Sequence, residues 1–224
     1  MRTVLSVLLL FLFFSAQAEL ENFDKLTAGD LGSPWVAGVT GRGQAQCTVT
    51  KFENAFSKPN VLKQSKEGTF PYCVRKDVSF ADGSVESRIM PISGNEDQAG
   101  GLVWRFKDGD NYYLARINAL ENNVSLFYVE AGKRKTIKYT DAPVAKDQWH
   151  LLKVEFKGAR IKIIYDGKNC IELDDDHIAT AGAVGVWTKA DSITAFDDFN
   201  YQSDDKVVPP TTSAKPKKQK EKKK

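Results

Sequence analysis

From residue 74 onward the chain is cut, at intervals near ten residues, into short runs of β-branched and aromatic residues closed by Gly, Asp or Asn. That punctuation is too frequent for helices and suits strands joined by tight turns. The run 74–80 stops at Asp82-Gly83, 85–92 at Ser93-Gly94-Asn95 and 101–106 at Asp108-Gly109-Asp110. Further runs cover 111–118, 124–130, 135–139, 149–156, 160–165, 170–173, 184–188 and 195–201. Alternation supports this reading: Leu152, Val154 and Phe156 point one way, Lys153 and Glu155 the other. About ten strands with hairpin connections predict an all-β fold, an antiparallel two-sheet sandwich of the jelly-roll type. Residues 19–73 are less regular, and within them Leu20–Leu31 and Thr48–Asn60 read as an edge strand and a long covering loop.

The two ends differ from the middle. Arg2, the apolar stretch 4–14 and Ala16-Gln17-Ala18 have the layout of an export leader cleaved after Ala18. Residues 1–18 are therefore expected to be a signal peptide, 19–201 the sandwich domain and 202–224 a disordered Lys-rich tail. The formal charge of the chain is +3. The tail carries eight Lys against Asp204, Asp205 and Glu221, and the leader adds Arg2, so the domain itself stands near −3. A mildly acidic exported domain disfavours nucleic acid as a partner. The tail reads as a solvated charge run, or as an attachment to an anionic envelope surface. The expected location is secreted or periplasmic, without a transmembrane span after residue 18.

Three cysteines in an oxidising compartment allow one bridge, and Cys47–Cys73 is the expected pair because both lie outside the strand-dense region. With only His150 and His177 and no CxxC, a zinc site is not expected.

Three segments resemble a known group: Ala99 to Phe106 with Asn111 to Arg116, Trp149 to Val154 with the Lys157-Gly158 and Asp166-Gly167 turns, and Gly182 to Trp187 followed by Phe196-Asp197-Asp198-Phe199. Together they look like concanavalin A-like (laminin G-like) jelly rolls, most of all the secreted bacterial 3-keto-disaccharide hydrolase domains. The resemblance covers about residues 70–201 and implies a sandwich with a saccharide on its concave sheet. Most of these residues specify a fold rather than an activity.

Sugar sites need aromatic faces and planar hydrogen-bonding groups. The candidates for ligand binding are Arg105, Tyr113, Arg116, Asn118, Trp187, Lys189 and Asp191. Arg116 and Asn118 alternate onto the face of Tyr112, whereas Arg105 lies opposite Trp104 and needs a bulge to join the same groove. Trp104, Trp149 and Trp187 also read as core. Catalytic candidates are weak: Asp191, His177 and Asp198. The run Glu172-Leu173-Asp174-Asp175-Asp176 lacks the alternate acid pair of a retaining glycosidase and reads as a solvated turn. Glu86 and Arg88 read as members of a cross-strand ion pair. No cofactor is expected. Calcium is the one candidate ion, from Asp108-Gly109-Asp110-Asn111 and the laminin G resemblance, although an Asp-Gly turn explains the same residues. Asn123-Val124-Ser125 is a glycosylation sequon, meaningful in a eukaryotic source.

Three functions follow, in this order: a saccharide-binding module, a glycoside hydrolase of 3-keto-disaccharide type, and an envelope adaptor held by its tail.

Overall fold

In the computed structural model, residues 17–204 are described, and they contain strands and turns without a helix. Residues 1–16 of the expected leader and 205–224 of the expected tail lie outside them, whereas Gln17 and Ala18, and Gln202 and Ser203, belong to paired strands of the domain. The first third is as strand-rich as the rest: β1 (Gln17–Glu21), β2 (Trp35–Gly43), β3 (Cys47–Lys51), β4 (Asn60–Gln64) and β5 (Gly68–Phe80). This corrects the expectation of an edge strand and a loop there. The other strands are β6 (Gly83–Ser93), β7 (Ala99–Asp108), β8 (Asn111–Asn118), β9 (Asn123–Glu130), β10 (Lys133–Asp141), β11 (His150–Lys157), β12 (Arg160–Tyr165), β13 (Lys168–Asp174), β14 (Gly182–Trp187) and β15 (Ile193–Ser203). The described residues thus hold fifteen strands: β5 to β15 correspond to the runs expected from residue 74 onward, and β1 to β4 precede them.

All pairings are antiparallel and form two sheets. One has the order β13-β12-β11-β6-β15-β4-β3, with β1 also on β15; the other is β10-β9-β8-β7-β14-β5-β2. Alternation on β8 fixes what each face does. Tyr113, Ala115 and Ile117 join the core between the sheets, against Leu152, Val154 and Phe156 of β11. Trp104 is fully buried in that core, its ring 5.2 Å from Tyr113 and 5.9 Å from Phe156. Truncating a Trp so placed costs about 3–5 kcal/mol.

Cys47 on β3 and Cys73 on β5 form a disulfide that ties one sheet to the other. Both lie within strands, not outside the strand-dense region. Cys170 is free.

The opposite face of the second sheet is also apolar. Tyr112 and Leu114 of β8 pack there with Val103, Phe106, Phe127, Val129 and Trp187. This second buried layer is where the candidate site lies.

Candidate functional site

The outer layer is curved. Arg134 on edge strand β10 lies 4.4 Å from the Phe127 ring, 5.9 Å from Trp187 and 4.9 Å from Phe70 on β5. β10 and β5 are five strand steps apart, about 24 Å in a flat sheet, further than an Arg and a Phe side chain together span. The face is therefore concave. Its floor is aromatic: Phe70 stacks on Trp187 at 5.5 Å, and Tyr72 lies 4.8 Å from Phe106. Gly38, opposite Tyr72 on β2, makes room for that ring, since a Cβ there would sit 2.4 Å from the tyrosine oxygen. Burial pushes the Tyr112 phenol up to about 12, so it stays neutral, held 2.9 Å from the Thr40 hydroxyl.

Polar groups gather at one end of this floor. β8 pairs Arg116 with Ser125 and Asn118 with Asn123 of β9. The Arg116 side chain donates to Glu121 at 2.5 Å and to Asn123 at 2.9 Å. Asn123 in turn donates to Glu121 at 2.8 Å and accepts from Ser125 at 2.9 Å. Burial raises the Glu121 pKa, but the bonds from Arg116 and Asn123 outweigh it and hold the carboxyl below its usual range. Asn118 connects this group to a second one. Its amide donates to Asp97 at 2.8 Å, and its oxygen accepts from the backbone of Leu120 and Glu121. Asp97 also pairs with Lys189.

Asp191 acts on this arrangement from outside. It accepts the backbone N–H groups of Asn95, Glu96 and Asp97 at 2.6–3.1 Å. Those bonds hold its pKa below normal and fix the loop that carries Asp97. A cleft of about 470 Å³ opens beside the group, lined by Arg42, Glu67, Phe70, Glu96 and Lys189 among others.

The structure thus brings together Arg116, Asn118, Trp187 and Lys189, with Asp191 supporting the loop. It places the other candidates elsewhere. Tyr113 alternates inward, where its ring stacks on Trp104 and its hydroxyl donates to Asp175. Arg105 does occupy a bulge, with φ 46° and a register break after Trp104. The bulge directs its guanidinium to the end of the sandwich, where it donates to the carbonyls of Ala81, Ile178 and Gly158 at 2.7–2.8 Å. His177 stacks 3.9 Å from Tyr128 and pairs with Asp175. Asp198 accepts the Ser57 hydroxyl at 2.6 Å on the other sheet. The three catalytic candidates therefore stand in three different places.

Smaller expectations are settled in the same way. Glu172 and Asp174 pair with Arg160 at 2.9 and 3.4 Å. Glu86 accepts from Asn200 at 3.2 Å, and Arg88 lies 4.1 Å over Phe56, so the two do not form the expected ion pair. Asp108 caps its own turn, accepting from the Asp110 backbone and the Asn111 side chain at 2.8 and 2.9 Å. Among the described residues no group of three His, Cys, Asp or Glu is placed to hold a metal, and no helix is long and apolar enough to cross a membrane. The Asn123 side chain of the sequon is buried and committed to Glu121.

Sequence reading missed Glu121, Asn123, Ser125, Asp97, Arg134 and Phe70. Cross-strand register signals Asn123 and Ser125: whatever pairs with Arg116 and Asn118 on β9 shares their face. Arg134 sits in a basic edge strand that reads as solvated.

No family model matches the chain. The levanase of Bacillus subtilis is 31% identical over 133 residues, which are 58% of this chain and 19% of the levanase. The chain thus spans about a fifth of the length of that curated relative. Among solved structures, the carbohydrate-binding module CBM66 from Bacillus subtilis superposes with a TM-score of 0.61 at 24% identity, over 73% of this chain and 97% of that one. The fold is a jelly-roll sandwich of the concanavalin A and galectin kind. A β-glucanase of Bacillus licheniformis shares it, with a TM-score of 0.57 at 13% identity over 84% of this chain and 98% of that one. The specific resemblance to 3-keto-disaccharide hydrolases finds no counterpart among these matches.

Proposed function

We propose that this chain is a saccharide-binding module, exported from the cell, whose site is the polar end of the concave face. The observation that carries the reading is the juxtaposition of an aromatic floor, Phe70 on Trp187 at 5.5 Å, with the linked Arg116–Glu121–Asn123 and Asn118–Asp97–Lys189 groups. Phe70, which lines the cleft above the buried Trp187, is the ring placed to take the apolar side of a sugar, and amide, carboxylate and guanidinium groups take its hydroxyls. The likeness to a levanase segment and to a carbohydrate-binding module agrees with it. Binding is favoured over hydrolysis because Asp191, His177 and Asp198 do not converge, and each is already occupied by a structural partner.

The test is calorimetric titration of the full-length chain with a saccharide panel that includes levan oligosaccharides, β-glucans and 3-keto disaccharides, with product analysis after long incubation. Binding without product supports the module. Product formation replaces it by the hydrolase reading. Absence of binding to every member contradicts the proposal.

A further inference from the structure

The concave face carries one cation too many. Arg116 is paired with Glu121 and Lys189 with Asp97. Arg134 has neither a hydrogen bond nor an ion pair among the described residues, and its buried Nη1 has no acceptor. The buried Nε of Arg116 also lacks one. The two guanidinium groups face the same ring, Phe127, at 5.3 and 4.4 Å. Like charges so placed repel, and no third carboxylate is bonded between them.

The aromatic contacts of Arg134 do not remove this imbalance. A ring face attracts the charge of a guanidinium but accepts none of its in-plane N–H bonds. Burial, and then Arg116, hold Arg134 below its ordinary pKa, while Tyr139, Asp97 and Glu121 act in the opposite sense without outweighing them. The neighbouring cleft is lined by Arg42, Glu67 and Glu96 beside the already paired Lys189, and neither glutamate bonds to Arg134. Arg134 is only partly buried, and Phe70, which it overlies, lines that cleft. A ligand in the cleft is thus next to a cation that wants a planar anion, the geometry in which a guanidinium takes a carboxylate with two bonds.

We propose that the saccharide recognised here is acidic, carrying a uronate carboxylate that pairs with Arg134. This narrows the binding reading above and rests on it. The experiment titrates the full-length chain with oligogalacturonate and oligoglucuronate, and with the methyl ester of each, so that charge alone changes. The expected result is that an acid form binds at least tenfold tighter than its ester, about 1.4 kcal/mol. The advantage should shrink as salt rises and vanish in R134Q, while R134K retains part of it. The comparison of acid with ester uses the unaltered protein, so it stands even where R134Q folds poorly. If no acid form outbinds its ester, the inference is overturned. Should neutral saccharides still bind, the module reading survives without it; if nothing binds, both fall together.

Discussion

Two arginines, eleven positions apart on neighbouring strands, are each almost wholly buried and do opposite things. Arg105, fully buried, meets three backbone carbonyls from three separate segments at 2.7–2.8 Å, with the Asp82 carboxylate further off at 3.4 Å. Its donors are spent on closing one end of the sandwich. Arg116, 1% exposed, meets side chains instead: Glu121, Asn123 and Ser125. Glu121 is 42% exposed, and the Nε of Arg116 is left without a partner. Backbone acceptors cannot move away without unfolding a segment, whereas side chains at a surface can exchange one partner for a ligand. Burial alone therefore does not distinguish a structural arginine from a binding one; the nature of its acceptors does.

The largest expected effect is at the structural end. Arg105→Leu leaves three carbonyls without their donor, and each unsatisfied buried group costs about 1–3 kcal/mol. The variant should lose roughly 3–5 kcal/mol, read as a fall in Tm of about 10 °C for a domain of this size. Its folded fraction should bind saccharide as the parent does. A stable Arg105→Leu protein with impaired binding would break the comparison.

A buried charge of opposite sign sharpens it. Asp197 is wholly buried on the other sheet. Burial raises its pKa to about 7, against the lowering effect of the Ser57 and Asp198 backbone donors. A raised acid holds its proton longer in the folded state. Its contribution is thus fully present below about pH 4 and lost as pH rises through 7. Thermal stability should decline between pH 4 and 8 by roughly 2–4 kcal/mol from this group, and Asp197→Asn should flatten that slope. An unchanged slope in the variant would contradict the assignment.

Next comes the binding end. Arg116→Gln should cost less stability than Arg105→Leu, about 1–2 kcal/mol, and at least tenfold in saccharide affinity, about 1.4 kcal/mol. Equal loss of stability in the two variants would erase the distinction between them.

The smallest effect is at Glu121. Its depressed pKa means that its pairing with Arg116 is present above about pH 4.5 and lost as pH falls below that value. Affinity for a neutral saccharide should be level from pH 8 to 5 and weaken below 4.5, whereas Glu121→Gln should show a weaker affinity without that step.

How much of this was legible in the chain differs between fold and site. Turn residues and alternation expose the eleven strand runs after residue 74, because hairpin chemistry is local. The first third hides β2 to β4 and the first half of β5. Its strands are short or interrupted by Gly41, Gly43 and Pro71, and their pairings reach across the chain, β2 and β14 to β5 and β4 to β15. For the site, alternation assigns Arg116 and Asn118 to one face and Tyr113 to the other. Tyr113 is thereby explained as core, and Arg105 required the bulge geometry that no residue pattern displays. Arg134 and Phe70 come from opposite regions of one curled sheet. Their approach depends on its curvature, which is a property of the assembled strands and not of either segment.

The central claim, a saccharide site at the polar end of the concave face, is tested most directly by hydrogen exchange on the full-length chain, with and without the tightest-binding member of the panel. The account predicts protection confined to residues 67–70, the 95–97 loop, the 116–125 turn region, the strand around Arg134 and residues 187–191. Protection at the Arg105 end, around residues 81–82, 158 and 178, or on the outer face of the eight-stranded sheet, would contradict it.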